Sequence, residues 1–113
     1  MNTEEIKAAY RANLKERITV CRYTGAGTNR PRFDVMVRGK ARLYDAKELI
    51  GTVQQGDQNV LLLVEDLIAK GFTLPVTNSD KVVVAGKEIA ILAPNTRKAE
   101  DGTIVVYDMQ CRG

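Results

Sequence analysis

The chain has 113 residues, of which 44% are apolar and 27% charged. That is one ordinary domain able to bury roughly two-thirds of its unfolded surface, and it excludes two full domains, wholesale disorder and collagen-like repeats. Seventeen basic and fourteen acidic residues give a formal charge of +3, and histidine is absent, which removes the commonest general base, the Ser-His-Asp triad and the Cys-His pair. An enzyme is therefore disfavoured, and neither a catalytic residue nor a cofactor is assigned.

The chain begins Met1-Asn2-Thr3-Glu4-Glu5, acidic where a secretory signal would be basic and then apolar, so synthesis in the cytoplasm is expected. Residues 1–17 read as a helix, with Thr3 as N-cap, Glu4 and Glu5 in the first turn, and no Pro or Gly inside. Ile6, Ala9, Tyr10, Asn13 and Leu14 recur at helical spacing as a thin apolar stripe. Such a helix lies at a domain edge or against a neighbouring subunit, which makes Ile6 and Tyr10 candidate partner contacts.

From Ile18 the pattern becomes β. Ile18 to Tyr23 alternates as a half-buried strand, 24–31 breaks it, and Phe33, Val35 and Val37 alternate with Asp34, Met36 and Arg38. Gly39 is a candidate bulge in one long or bent strand that resumes through Ala41 and Leu43. Gly25-Ala26-Gly27-Thr28-Asn29-Arg30 lacks the Lys-Ser/Thr ending of a phosphate loop and leads into Pro31 and a strand rather than a helix, so it is no nucleotide site. Between Arg17 and Arg42 stand seven basic residues (Arg17, Arg22, Arg30, Arg32, Arg38, Lys40, Arg42) and one acid, Asp34. Charge alone favours a solvated strand face, yet Arg38, Lys40 and Arg42 also form a candidate basic surface for phosphates or an acidic partner.

Residues 44–59 are polar and rich in Gly and Gln, too weakly apolar for a core, and read as a long loop or extended hairpin, of a length that in a compact domain is usually functional or disordered. Val60 to Val64 is a buried strand; this longest apolar run is far short of the roughly eighteen residues of a membrane-spanning helix, so no membrane partner is expected. Glu65 to Lys70 continues as a helical turn, and 74–80 is a connecting loop. Lys81 to Val84, a tight turn at Ala85-Gly86, Glu88 to Leu92, a polar loop over 94–102 and Thr103 to Met109 make a three-stranded meander. The neighbouring acids Glu65-Asp66 and Glu100-Asp101 read as solvated turn charges. Cys21 and Cys111 read as two core thiols, with a disulfide between them left open, and without CxxC or histidine no zinc site or other metal is expected. The fold class expected is mainly β: a small antiparallel barrel or sandwich with an N-terminal helix and a long polar loop over 45–58.

The order of these elements, with Val37-Arg38-Gly39-Lys40-Ala41 leading into the polar loop, Asp80 to Leu92 around Ala85-Gly86, and a closing Gly102 to Tyr107 before Cys111-Arg112-Gly113, resembles the head-tail joining, or stopper, proteins of long-tailed bacteriophages. The resemblance implies a small β-barrel without catalysis whose copies form a ring at the virion neck after synthesis in the host cytoplasm, and the modest apolar surface predicts that the isolated chain stays largely monomeric in solution. The resemblance further implies a portal or adaptor protein on the head side, a tail terminator or tail tube protein on the tail side, and genomic DNA in the channel. Lys47, Gln54, Gln55 and Gln58 would face that channel or a symmetry mate, and Tyr107 and Arg112 join Ile6 and Tyr10 as expected partner contacts. Tail terminators and a free nucleic-acid-binding barrel are the alternatives.

Overall fold

The computed structural model describes residues 2–24, 31–44, 53–54 and 56–113. Helix α1 spans Thr3–Asn13, β1 Glu16–Tyr23, β2 Arg32–Leu43, β3 Gln58–Leu63, α2 Val64–Ala69, β4 Lys81–Val84, β5 Lys87–Lys98 and β6 Ile104–Arg112. The six strands close into an antiparallel barrel in the order β1-β2-β3-β6-β5-β4, the barrel alternative of the expected class. β1 and β2 form a hairpin from Glu16 opposite Gly39 to Tyr23 opposite Arg32. β4 closes the ring by setting Val83 against Thr19.

Period-two alternation explains the wall. Ile18 and Val20 on β1, Val35 and Val37 on β2, Val60 and Leu62 on β3, Ile89 and Ile91 on β5, and Tyr107, Met109 and Cys111 on β6 fill the bore as one apolar cluster, to which α2 adds Val64 and Leu67. Leu61 and Leu63 point the other way. They join Leu14, Ala99, Val105 and Val106 in a second cluster that α1 covers with Ile6 and Tyr10. The helix therefore lies on the outside of the barrel rather than across its mouth.

Four local expectations are corrected. The helix is capped by Asn2, whose Oδ1 accepts the Glu5 N–H at 2.8 Å, while Thr3 Oγ1 donates to Asp101 Oδ2 at 2.8 Å. It also stops at Asn13 rather than 17, because Leu14 turns to extended backbone and is buried in the second cluster. Gly39 is no bulge: it is the last residue of β2 paired with β1, opposite Glu16, and the first paired with β3, opposite Leu62, and neither ladder shifts register at it. Glycine is needed there because a Cβ would overlap the Leu61 carbonyl oxygen. The polar stretch 94–98 is the second half of β5, paired from Pro94 opposite Met109 to Lys98 opposite Ile104 after a register shift between Ile91 and Ala93. The buried face of β6 imposes a strand on residues whose composition reads as loop. The turn at Ala85-Gly86 is as expected, with φ of 51° and 79°, the left-handed pair of a two-residue hairpin.

Candidate functional site

Part of the basic run is spent on ion pairs of the wall: Arg22, Arg32 and Arg38 each pair with a carboxylate, while Arg17, Lys40 and Arg42 are exposed. Arg38 lies opposite Arg17 across the β1–β2 ladder, a like-charge contact that would destabilise the pair unless neutralised. Asp66, at the start of α2, neutralises it: its carboxylate accepts Arg38 Nε at 2.9 Å and Nη2 at 2.8 Å, and the Arg38 backbone N–H at 2.9 Å. These bonds hold the Asp66 carboxyl below its ordinary value, with the Arg38 side chain the main cause. Asp66 is thus a structural partner of β2 and not the solvated turn charge expected. Arg32 pairs with Asp34 at 2.7 Å and approaches Glu88 at 3.5 Å. Arg42 donates to the Leu43 carbonyl at 3.3 Å and stands 5.7 Å from the Tyr44 ring. Lys40 is exposed. Of the three candidate basic residues, then, Arg38 carries a compensated charge, while Lys40 and Arg42 are exposed along the same strand.

Two acids that sequence reasoning passed over organise the barrel's irregular segments by one device. Asp57, 1% exposed, directly precedes β3, and Asp80, 2% exposed, directly precedes β4. Each closes a turn over the residue three positions back. Gln54 N–H donates to Asp57 Oδ2 at 2.9 Å while Asp57 N–H donates to the Gln54 carbonyl at 3.0 Å; Thr77 and Asp80 repeat the exchange at 2.9 and 3.1 Å. Each is then clasped by an arginine from another strand. Arg112 reaches Asp57 with Nε at 2.8 Å and Nη2 at 2.9 Å, and Gln110 adds a bond at 3.0 Å. Arg22 grips Asp80 through Nε and Nη2, both at 2.9 Å, donates to the Thr73 and Pro75 carbonyls, and lies 4.2 Å over the Phe72 ring. The Arg112 guanidinium is the main reason the Asp57 carboxyl sits well below the usual carboxylate range. The signal available in sequence was an aspartate immediately before each apolar strand, in Gly56-Asp57-Gln58 and Ser79-Asp80-Lys81.

The expected loop residues divide. Lys47 and Gln55 lie outside the described residues, Gln54 is exposed within the Asp57 turn, and Gln58 opens β3 opposite Leu43 and Cys111 instead of belonging to the loop. Among the expected partner contacts, Tyr107 is corrected outright. It is 2% exposed, and its hydroxyl accepts the Val76 N–H at 3.1 Å, so it is a core residue. Arg112 is committed to Asp57. Ile6 and Tyr10 remain half-buried on α1, where with Ala9 and Asn13 they line an open depression of about 240 Å³.

Both cysteines are free and buried, as two core thiols should be. Burial is the main cause that lifts Cys21 to about 11 and Cys111 to about 12. Among the described residues no group of three His, Cys, Asp or Glu side chains is placed to hold a metal ion, and no helix is long and apolar enough to cross a membrane. No family model matches the chain, and comparison with curated proteins and with solved structures returns no match.

Proposed function

We propose that the chain is a structural connector subunit of the bacteriophage neck, one copy of a ring that closes the DNA-filled head and presents a docking surface to the tail. The observation that carries this reading is the connection between β2 and β3. These strands are antiparallel neighbours, a pair that two to five residues suffice to join. The chain instead spends residues 44–57 there and anchors the end of that segment by the Asp57–Arg112 clasp. A barrel wall needs no such length of chain for its own closure, so the segment is available for another role. The position also matches the long loop between early strands that the stopper resemblance implies. The alternative of a free nucleic-acid-binding barrel is weakened by the compensation of Arg22, Arg32 and Arg38, since phosphate binding draws on uncompensated positive charge.

Immunogold electron microscopy of purified particles, using antibody to this chain, tests the proposal. Label confined to the head-tail neck supports it. Particles without label overturn it, and a steep salt dependence of DNA affinity for the free chain would then establish the nucleic-acid-binding alternative.

A further inference from the structure

We propose that α1 is an exchangeable arm, seated on the outer wall of its own barrel in the isolated chain and on the wall of a neighbouring copy when copies are crowded together. The inference takes from the ring reading only the circumstance that brings copies into contact.

The helix itself is attached shallowly: none of its residues is buried, and the buried anchor of the arm is Leu14, which follows the helix into the second cluster and would travel with it. Its polar ties are peripheral: Thr3 to Asp101 at 2.8 Å, Arg97 to the Tyr10 hydroxyl at 3.3 Å, and Arg11 to Glu65 at 2.8 Å with both side chains about one-third exposed. The two exposed hydrogen bonds contribute little to stability, and the third tie is a single ion pair made by the buried Nε of Arg11. Its apolar side is also incompletely matched. Ile6, Ala9, Tyr10 and Asn13 occupy one face at i, i+3, i+4 and i+7, and that face borders the 240 Å³ depression, where side chains lack packing partners.

The wall beneath, by contrast, cannot be left bare. Leu63 and Val106 are wholly buried and Val105 is 2% exposed, although Leu63 faces away from the bore. If α1 leaves, its replacement must offer the same apolar face together with partners for Asp101, Arg97 and Glu65. The α1 of a second copy meets every one of these requirements by identity, which is what selects it as the occupant. The connector is suited to exchange: only Leu14 and Lys15 separate the helix from β1, and short connectors favour opening between copies over tight folding back within one. The exposed Lys15, standing between Leu14 and the first ladder residue of β1, Glu16, is the natural hinge.

A tethered helix sees its own seat at an effective concentration on the order of millimolar, so exchange should overtake self-seating as the protein approaches that concentration. In the double variant Thr3→Cys, Asp101→Cys, oxidation followed by non-reducing electrophoresis should give an intramolecular bond at micromolar protein, and a share of covalent multimers rising about tenfold as the protein is concentrated toward millimolar. Exclusively intramolecular bonds at every concentration overturn the proposal. Light scattering on the same samples reports assembly separately. Multimers whose bonds are all intramolecular overturn exchange, and so does an absence of multimers at every concentration; neither outcome touches the ring reading, which expects a monomer in isolation and is decided by the neck label. Should the cysteine pair fail to fold, a variant with four Gly/Ser residues inserted after Lys15 decides the matter: its dimer fraction by sedimentation should fall several-fold below that of the parent chain, and an unchanged fraction overturns the proposal.

Discussion

Replacing Gly39 by alanine addresses the point where β2 changes partners. At Gly39 the strand pairs with Glu16 on one side and Leu62 on the other. The added methyl would overlap the Leu61 carbonyl oxygen and lie 3.0 Å from Ile18 Cγ1. The main obstacle is backbone, which has no rotamer to escape into, so β2 and β3 must separate locally. Overpacking of this kind costs about 1–3 kcal/mol, while removing a glycine stiffens the unfolded chain and returns about 0.4–1 kcal/mol. The net destabilisation is about 1–2 kcal/mol, a fall in Tm of roughly 5–10 °C for a domain of this size. Urea denaturation monitored by circular dichroism gives the free energy, and a thermal scan gives the midpoint. In an Ile18→Ala background most of the cost should persist, because the carbonyl remains. A Gly39→Ala chain within about 0.5 kcal/mol of the parent would refute the argument that backbone proximity requires glycine there.

Ala85 holds a φ of 51° in the β4–β5 turn, so Ala85→Asn should stabilise the fold by about 0.5–1 kcal/mol, since asparagine tolerates the left-handed region better; a lower urea midpoint would contradict this. Tyr107→Phe removes the acceptor of the buried Val76 N–H and should cost about 1–2 kcal/mol, read by the same titration, whereas an unchanged midpoint would mean the hydroxyl is dispensable. Asp57 and Asp66 are both held below ordinary carboxylate values by arginines. A depressed folded value gives stability present above the unfolded value of about 4 and lost as pH falls toward the folded one. Tm should therefore drop below about pH 4, and Asp57→Asn should shrink that drop; an acid limb that does not change on this substitution counts against the clasp. With Cys21 lifted to about 11 and Cys111 to about 12 by burial, a thiol reagent at neutral pH should titrate neither in the native protein and both in denaturant.

The sequence made the barrel legible where side chains obey a single surface. Alternation located β1 and β2, a run of valines ahead of the Ala85-Gly86 turn located β4, and the helical spacing of Ile6, Tyr10 and Leu14 located α1 as an element at the edge. Legibility failed where the partner decides. Pro94 to Lys98 form a strand only because β6 lies opposite, and proline is tolerated there because a strand past a bulge need not donate every N–H. Gly39 looks like a bulge until Leu61 is placed against it. Asp57, Asp66 and Asp80 look like loop charges until arginines remote in sequence arrive beside them, and Tyr107 looks like a surface aromatic until Val76 passes under its hydroxyl. Within the candidate site the basic run could be counted in sequence, but its compensation could not, because every compensating carboxylate except Asp34 comes from a different element.

The filled bore has a consequence for traffic. Valines, leucines and isoleucines occupy the barrel from wall to wall, and one end is stopped by Arg22 stacked on Phe72, itself stacked on Phe33 at 6.2 Å between ring centres. Nothing the width of a nucleic acid strand threads a single copy. Any conduit made from this chain is a gap between subunits, bounded by the outsides of barrels, so its diameter is set by how many copies stand around it and how they tilt. In the ring we propose, substitutions inside the barrel should then alter the endurance of each post, and substitutions on the outer walls the width of the gap between posts.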